Sequence, residues 1–388
     1  MRMVKVAPMV VVGGEEHVEP VTSRYSRAPL MAYWEMTRAC DLACRHCRAE
    51  ATPWQHPFEL TTQEGLRLLD RLAAFAPKPH LVLTGGDPLK RTDVYWLISR
   101  ATELGLLVSI TPSGTPLLTR DALERVRDAG VRTVALSLDG PTARRHDRIR
   151  QVPGSFERTV QAARWARELG LSLQINSLVC AETVNELADI HHRVAKLGAD
   201  RWSLFFLVTI GRGATLGQID AYEAEAVLDW LYDLAQECPR PAIKTTEAHH
   251  YRRIALQRRR AGGEPSRDTP PGTGSAGKAY ADVLRGAGIR DGAGILFISH
   301  TGEVYPSGFL PVSAGNIRRD DVVRLYQESP IFVRLRDNAQ LKGKCGACEF
   351  KTICGGARSR AWAATGDAFA EDPLCVYQPH DYAAAAAS

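Results

Sequence analysis

Between about residues 32 and 208 the chain repeats one pattern: a short apolar run, a loop, a segment with helical spacing of apolar positions, and a glycine that stops it. The stops stand at Leu104-Gly105, Ala129-Gly130, Leu169-Gly170 and Leu197-Gly198, each soon followed by another apolar run, as glycine at a helix C-cap predicts. Strands are predicted over 32–36, 80–84, 106–111, 133–138, 171–179 and 202–208. Between the first two, Thr61-Thr62-Gln63-Glu64 has the form of a capping box, and Leu66, Leu69, Leu72 and Phe75 share one helical face. Six strand-helix units predict an α/β fold with a parallel sheet and helices outside it. Six are too few for a closed eight-stranded barrel, so the sheet is an incomplete barrel or an open doubly wound one. Both arrangements gather the loops after the strands on one face.

A helix over 221–237 ends this region, and the pattern then changes. Arg252, Arg253, Arg258, Arg259 and Arg260 precede a Gly/Pro/Ser-rich stretch, 262–277, read as a solvated helix end running into a connector. A β-hairpin is predicted over 294–305, turning at Thr301-Gly302, with a helix over 320–338 after it. The expected division is an N-terminal extension (1–30), a barrel region (31–240), a basic, partly disordered linker (241–293), a small C-terminal unit (294–380) and a tail (381–388).

Composition narrows the class. Of 388 residues, 45% are hydrophobic and 24% charged, and no stretch approaches the ~20 consecutive apolar residues of a membrane span. Gly13, Gly14, Glu15 and Glu16 cut short the only apolar run near the start, so no export signal is expected and the location is predicted to be cytoplasmic. A net charge of +5 is too small to mark a nucleic-acid binder, and no aromatics interleave with the arginine cluster. Seven of nine cysteines fall in two tight groups, at 40/44/47 and 345/348/354/375, while Cys180 and Cys238 stand alone. In such a chain, clustered cysteines read as metal ligands rather than disulfides.

Cys40, Cys44 and Cys47 lie on one short loop after the first strand. Three thiolates can cap three corners of a cubane [4Fe-4S] cluster, leaving one iron open to a chelating amine and carboxylate. Zinc with His46 as a further ligand is the competing reading, but adjacent His46 and Cys47 are poorly placed to face one tetrahedral ion. Cys345, Cys348, Cys354 and Cys375 offer four thiolates, enough to close a cluster or a structural zinc site.

The first loop, with Thr37-Arg38-Ala39 before it, resembles the signature of the radical S-adenosylmethionine (SAM) superfamily. Gly85-Gly86-Asp87-Pro88 is similar to that family's Gly-Gly-Glu-Pro, with Asp for Glu, and Ser137-Leu138-Asp139-Gly140 followed by His146-Asp147 and Arg150 looks like its fourth-strand segment. The resemblance implies a partial (β/α)6 barrel in which the reduced cluster cleaves SAM to methionine and a 5′-deoxyadenosyl radical that abstracts a substrate hydrogen. It further implies that His46 lies against the adenine, that Gly85, Gly86, Asp87 and Pro88 take the methionine ammonium, and that Ser113, Ser137, Asp139 and Asn176 complete the SAM site. The segment from Cys345 to Pro379 resembles the SPASM/twitch domains that carry auxiliary clusters. Where a full domain has three further cysteines this chain has Ser299, Ser307 and Arg358, which implies one auxiliary [4Fe-4S] cluster rather than two.

Cys354-Gly355-Gly356, Arg360-Ala361, Thr365-Gly366-Asp367 and Asp372-Pro373-Leu374-Cys375, with Phe206-Leu207-Val208 and Gly211-Arg212-Gly213, look most like the haem-maturing subset of that superfamily. The implied substrate is a tetrapyrrole with propionate side chains, served by an electron donor such as flavodoxin or ferredoxin. Arg212, Arg252 and Arg253 are candidates to pair with its carboxylates, and His249 or His250 to meet the ring or its metal. Two other readings stand beside it: a maturase of a ribosomally made peptide, and a non-enzymatic binding protein stabilised by zinc.

Overall fold

The computed structural model describes residues 25–261, 287–380 and Tyr382. Most of the N-terminal extension, the stretch 262–277 and the alanine run near the end lie outside the described residues. Seven parallel strands follow one another in chain order: β1 (Met31–Glu35), β2 (His80–Thr84), β3 (Leu107–Ile110), β4 (Thr133–Ser137), β5 (Ser172–Val179), β6 (Arg201–Phe206) and β7 (Ala242–Thr246). On the other side of β1, β8 (Ile295–Ile298) pairs parallel to it, Met31 opposite Ile295, and β9 (Glu303–Tyr305) and β10 (Gly315–Asn316) continue antiparallel. The sheet therefore has ten strands, in the order β10-β9-β8-β1-β2-β3-β4-β5-β6-β7.

Side chains on successive strand residues point to opposite faces. One set, including Ala32, Trp34, Leu81, Leu83, Trp202 and Leu204, is buried in the main core. It packs there with residues of α1 (Thr62–Ala73), α2 (Val94–Glu103), α3 (Arg120–Asp128), α5 (Ser155–Glu168), α6 (Leu187–Lys196) and α7 (Ala221–Glu237). The alternate set, Tyr33, Glu35, Ser109, Ser137, Asn176 and Lys244, is polar and faces the lumen. Helices on one face and a polar lumen on the other make this the incomplete barrel, not a doubly wound sheet. α4 (Ala143–Arg150) sits beyond β4 and reaches the cysteine loop through Arg45 N–H, which donates to Ile149 O at 2.9 Å.

The predicted capping box is present: Thr61 accepts from the Glu64 amide, and the Glu64 carboxylate accepts from Thr61 N–H at 2.8 Å. Gly105, Gly130, Gly170 and Gly198 all take positive φ where the helices stop. Two expectations change. The segment 241–293 begins as ordered structure, with β7 and α8 (Tyr251–Ala261), and α8 is tied to α7 by Arg253–Glu225 and Arg258–Asp229 pairs. The helix expected over 320–338 is two, α9 (Val322–Glu328) and α10 (Pro330–Arg336), because proline pushes the preceding Ser329 to an extended conformation, φ −65°, ψ 141°. Short helices α11 (Gly343–Ala347) and α12 (Arg358–Thr365) then flank the second cysteine group.

Candidate active site

The loop after β1 is held from several sides, so its three cysteines are placed by backbone rather than by their own side chains. Cys40 N–H donates to Thr52 O at 2.7 Å. Arg212 donates through Nε to Cys44 O at 2.9 Å and through Nη1 to Ala51 O at 3.0 Å. Each sulfur also has a donor aimed at it: Leu42 N–H to Cys40 Sγ at 3.4 Å, Ala51 N–H to Cys47 Sγ at 3.5 Å, and Arg150 Nη1 to Cys44 Sγ at 3.6 Å. Such donors favour thiolates. Burial acts the other way and pushes the Cys40 thiol up to about 11, so binding a metal there releases a proton.

The spacing of the sulfurs bears on the two metal readings. A tetrahedral zinc with Zn–S of about 2.3 Å draws its thiolates within about 4 Å of one another. Among the described residues, the one set of three or more Cys, His, Asp or Glu ligand atoms lying within 4.8 Å of one another is Glu247, His249 and Asp291. Neither cysteine group is drawn that close in the structure.

Gly85 and Gly86 bring the second loop onto the first. Gly86 N–H donates to Thr37 O at 2.8 Å and Asp87 N–H to Ala39 O at 2.7 Å. A Cβ on Gly86 would stand 2.4 Å from Ala39 O, and Gly85 has φ +157° with 2.5 Å to Thr37 O. Gly86→Val is therefore expected to lose SAM binding and about 1–3 kcal/mol of stability. Isothermal titration with SAM and a thermal melt check both; wild-type affinity in the variant would refute the close-approach argument.

A cleft of about 1180 Å³, counting its mouth, is lined by Cys40, Cys44, His46, Cys47, Gly85, Gly86, Ser113, Ser137, Asp139 and Asn176. Ser137 and Asn176 face each other in register across β4 and β5. Asn176 accepts from Gln174 at 2.8 Å, leaving its amide donors unused among the described residues. Ser113 Oγ donates to Gly86 O at 2.8 Å and accepts from the Cys40 thiol at 3.5 Å. Burial and the nearby Arg150 hold His46 down at about 4, so it is a neutral aromatic ring near pH 7.

Two predicted ligands do different work. Asp87 is fully buried behind the loop; its Oδ2 accepts from Thr115 at 2.7 Å and its Oδ1 from the amides of Leu89 and Ser113. Pro88 opens a short 3-10 turn there, and neither residue lines the cleft. Asp139 reaches the cleft but is spent on Leu178 N–H at 2.8 Å and on Arg150 Nη2 at 2.5 Å.

The second cysteine group closes around a smaller cavity, lined by Cys345, Cys348, Cys354, Cys375, His250, Phe350 and Tyr377 among others. The amides of Phe350, Gly356 and Asp372 donate to Cys348, Cys354 and Cys345, each at 3.4 Å. Arg358, which is fully buried, reaches Cys345 Sγ with Nη2 at 3.5 Å and donates to Ala370 O at 2.6 Å. Ser299 accepts from the Glu303 amide at 3.0 Å and Ser307 from the Phe309 amide at 3.2 Å. The three positions where a full SPASM domain has cysteines thus hold hydrogen-bonding residues. Cys180 is a fully buried member of a small apolar cluster, and Cys238 caps α7.

Residues 34–194 match the radical SAM superfamily. The AdoMet-dependent heme synthase of Oleidesulfovibrio alaskensis is 40% identical over 354 residues, 91% of this chain and 88% of that protein. The chain belongs to the radical SAM superfamily. The AdoMet-dependent heme synthase of Methanosarcina barkeri is 37% identical over 354 residues, 91% of this chain and 98% of that protein. The solved structure of Streptococcus suis SuiB bound to S-adenosylmethionine shares the fold, with TM-score 0.67 at 15% identity, covering 92% of this chain and 79% of that one. As a radical SAM enzyme the chain uses SAM and a [4Fe-4S] cluster, and the non-enzymatic zinc reading falls.

The structure also shows what the motifs did not single out. Arg48, Phe205 and Phe309 line the cleft. Arg212, expected to meet a substrate carboxylate, clamps the cysteine loop with Nε and Nη1, and it also lines the cleft with its Nη2 buried and unpartnered among the described residues. Arg252 donates to Ile289 O at 2.8 Å, Arg253 holds Glu225, and His249 and His250 are buried away from the cleft wall. Among the described residues, no helix is long and apolar enough to cross a membrane.

Proposed function

We propose that this radical SAM enzyme acts on a tetrapyrrole with carboxylate side chains and removes carbon dioxide from one of them. The observation that carries this is the 40% identity to an AdoMet-dependent heme synthase along 91% of the chain. The cleft supports it chemically. Phe205 and Phe309, with ring centroids 6.5 Å apart, offer an apolar wall for a flat macrocycle. Arg48, stacked at 4.4 Å on Phe297 and 2.9 Å from Glu35, is the cation on the same cleft that can pair with a carboxylate.

Cys40, Cys44 and Cys47 would hold the catalytic cluster, with the methionine end of SAM against Gly85, Gly86 and Ser113, its adenine on His46, and its remaining polar groups at Ser137 and Asn176. When bound, the cluster and SAM together supply the 5′-deoxyadenosyl radical that takes a substrate hydrogen. Cys345, Cys348, Cys354 and Cys375 would hold one auxiliary [4Fe-4S] cluster, with a flavodoxin or ferredoxin as electron donor.

The test is anaerobic incubation with reductant, SAM and an iron porphyrin carrying propionates. The expected result is porphyrin-dependent 5′-deoxyadenosine and a product lighter by carbon dioxide and two hydrogens: one hydrogen atom would go to the deoxyadenosyl radical, the carboxyl proton to solvent and the remaining electron to the auxiliary cluster. Deoxyadenosine without any change in the porphyrin mass would refute the tetrapyrrole reading, and the peptide-maturase reading would then be next to test.

A further inference from the structure

Glu247, His249 and Asp291 present one ligand atom each within 4.8 Å of one another, and all three are buried, at 3%, 5% and 0% exposure. Their hydrogen bonds do not account for them. Glu247 Oε2 accepts from Ser359 Oγ at 2.5 Å and Asp291 Oδ2 from Ser359 N–H at 2.9 Å. Both ring nitrogens of His249 and Oδ1 of Asp291 are buried without a partner. An unpartnered buried polar atom is destabilising, so three in one place call for an occupant. Glu247 also holds a left-handed backbone, φ +60°, a conformation a glutamate rarely keeps.

From this geometry we infer that Glu247, His249 and Asp291 form a binding site for a first-row divalent transition-metal ion, separate from both cysteine groups. Two carboxylates and a neutral imidazole balance an M²⁺ charge, and the nitrogen ligand selects Mn²⁺, Fe²⁺ or Zn²⁺ over the all-oxygen preference of Ca²⁺ and Mg²⁺. The nearby cations do not fill the place. Arg360 pairs with Asp372 at 3.3 Å, Arg290 donates through Nη2 to Leu335 O at 3.1 Å and to Asn338, and their other buried nitrogens, Nε and Nη2 of Arg360 and Nε and Nη1 of Arg290, hydrogen-bond to neither His249 nor the free Asp291 oxygen.

The placement gives the ion a structural role. Glu247 and His249 follow β7 directly, Asp291 lies just before β8, and Ser359 belongs to α12. The ion would fasten the last parallel strand of the barrel to the segment that leads back to β1, with the second cysteine region as its backing. The inference does not depend on the tetrapyrrole reading.

The test uses the cluster-loaded enzyme titrated with Mn²⁺, with free Mn²⁺ followed by its room-temperature electron paramagnetic resonance signal. One bound equivalent, displaced by Zn²⁺, is expected, and Asp291→Asn and Glu247→Gln should weaken it about tenfold or more at an unchanged iron count. If a variant loses iron as well, His249→Gln is compared by thermal melt, where Mn²⁺ should raise the wild-type midpoint and leave the variant's unmoved. No Mn²⁺ or Zn²⁺ uptake by the wild type, or wild-type uptake by the variants, would overturn the site and leave a proton shared between Glu247 and Asp291 as the explanation.

Discussion

Changing Cys40, Cys44 and Cys47 together to alanine is expected to abolish 5′-deoxyadenosine formation and to lower iron from about eight to about four atoms per chain. The two cysteine groups lie in separate cavities with separate donor sets: Leu42 and Ala51 amides with Arg150 at one, Phe350, Gly356 and Asp372 amides at the other. Loss of the first set leaves the second intact. Iron and sulfide analysis after anaerobic reconstitution, run beside a SAM-cleavage assay, checks this. Retention of deoxyadenosine by the triple variant would remove the first loop from the chemistry.

Arg150→Ala should cost about 3–5 kcal/mol of stability, as expected when one member of a buried ion pair is removed. Arg150 is the partner of Asp139, whose side chain is 2% exposed, and it also points at Cys44. Burial by itself would raise the Asp139 carboxyl, but the Arg150 charge, with help from His46 and His146, holds it below its usual range. The pair therefore adds stability above the ordinary aspartate value of about 4, and that stability is lost as pH falls through the lower folded value. Without Arg150, burial prevails and the protonated carboxyl becomes the favoured folded form. The stability gap between wild type and variant should then be widest near neutrality and narrow toward pH 4, as read from denaturant unfolding at several pH values. A gap that does not change with pH would place the loss in packing, not in the ion pair. Arg150→Lys should recover part of it.

The barrel was legible because its outward strand positions are apolar while many inward ones, such as Glu35, Ser109, Ser137 and Asn176, are polar, and because glycine marks the helix ends. β7 was missed for the same reason: Lys244 and Thr246 point into the lumen, all five of its residues are only half-buried, and no apolar run remains to be seen. The break at Pro330 was written in the sequence, yet apolar spacing on both sides ran through it. Cys40, Cys44, Cys47, Gly85, Gly86, Ser137 and Asn176, singled out by motif letters, all line the cleft. They could not say where the Asp87 carboxylate turns, since that depends on Thr115, 28 residues away. Arg252 looked like an anion ligand by charge, but it donates to backbone carbonyls that only the fold brings near, and Arg212 likewise spends Nε and Nη1 on the carbonyls of Cys44 and Ala51. Glu247, His249 and Asp291 share no local motif and meet only in the folded chain.

The parallel pairing of β8 with β1 bears on how the protein is made. During synthesis β1 leaves the ribosome early, while the strand that covers its far edge belongs to the last quarter of the chain. Glu35, at the end of β1 and just before the cysteine loop, receives its His300 partner from 265 residues downstream, at 2.6 Å. Until that segment arrives, β1 keeps an unpaired edge, and the Phe297 ring on which Arg48 stacks is missing. The first cysteine loop thus gains its final wall only when nearly the whole polypeptide is available. A nonsense mutation upstream of β8 therefore removes the second cysteine group and, with it, the strand and the ring that back the first.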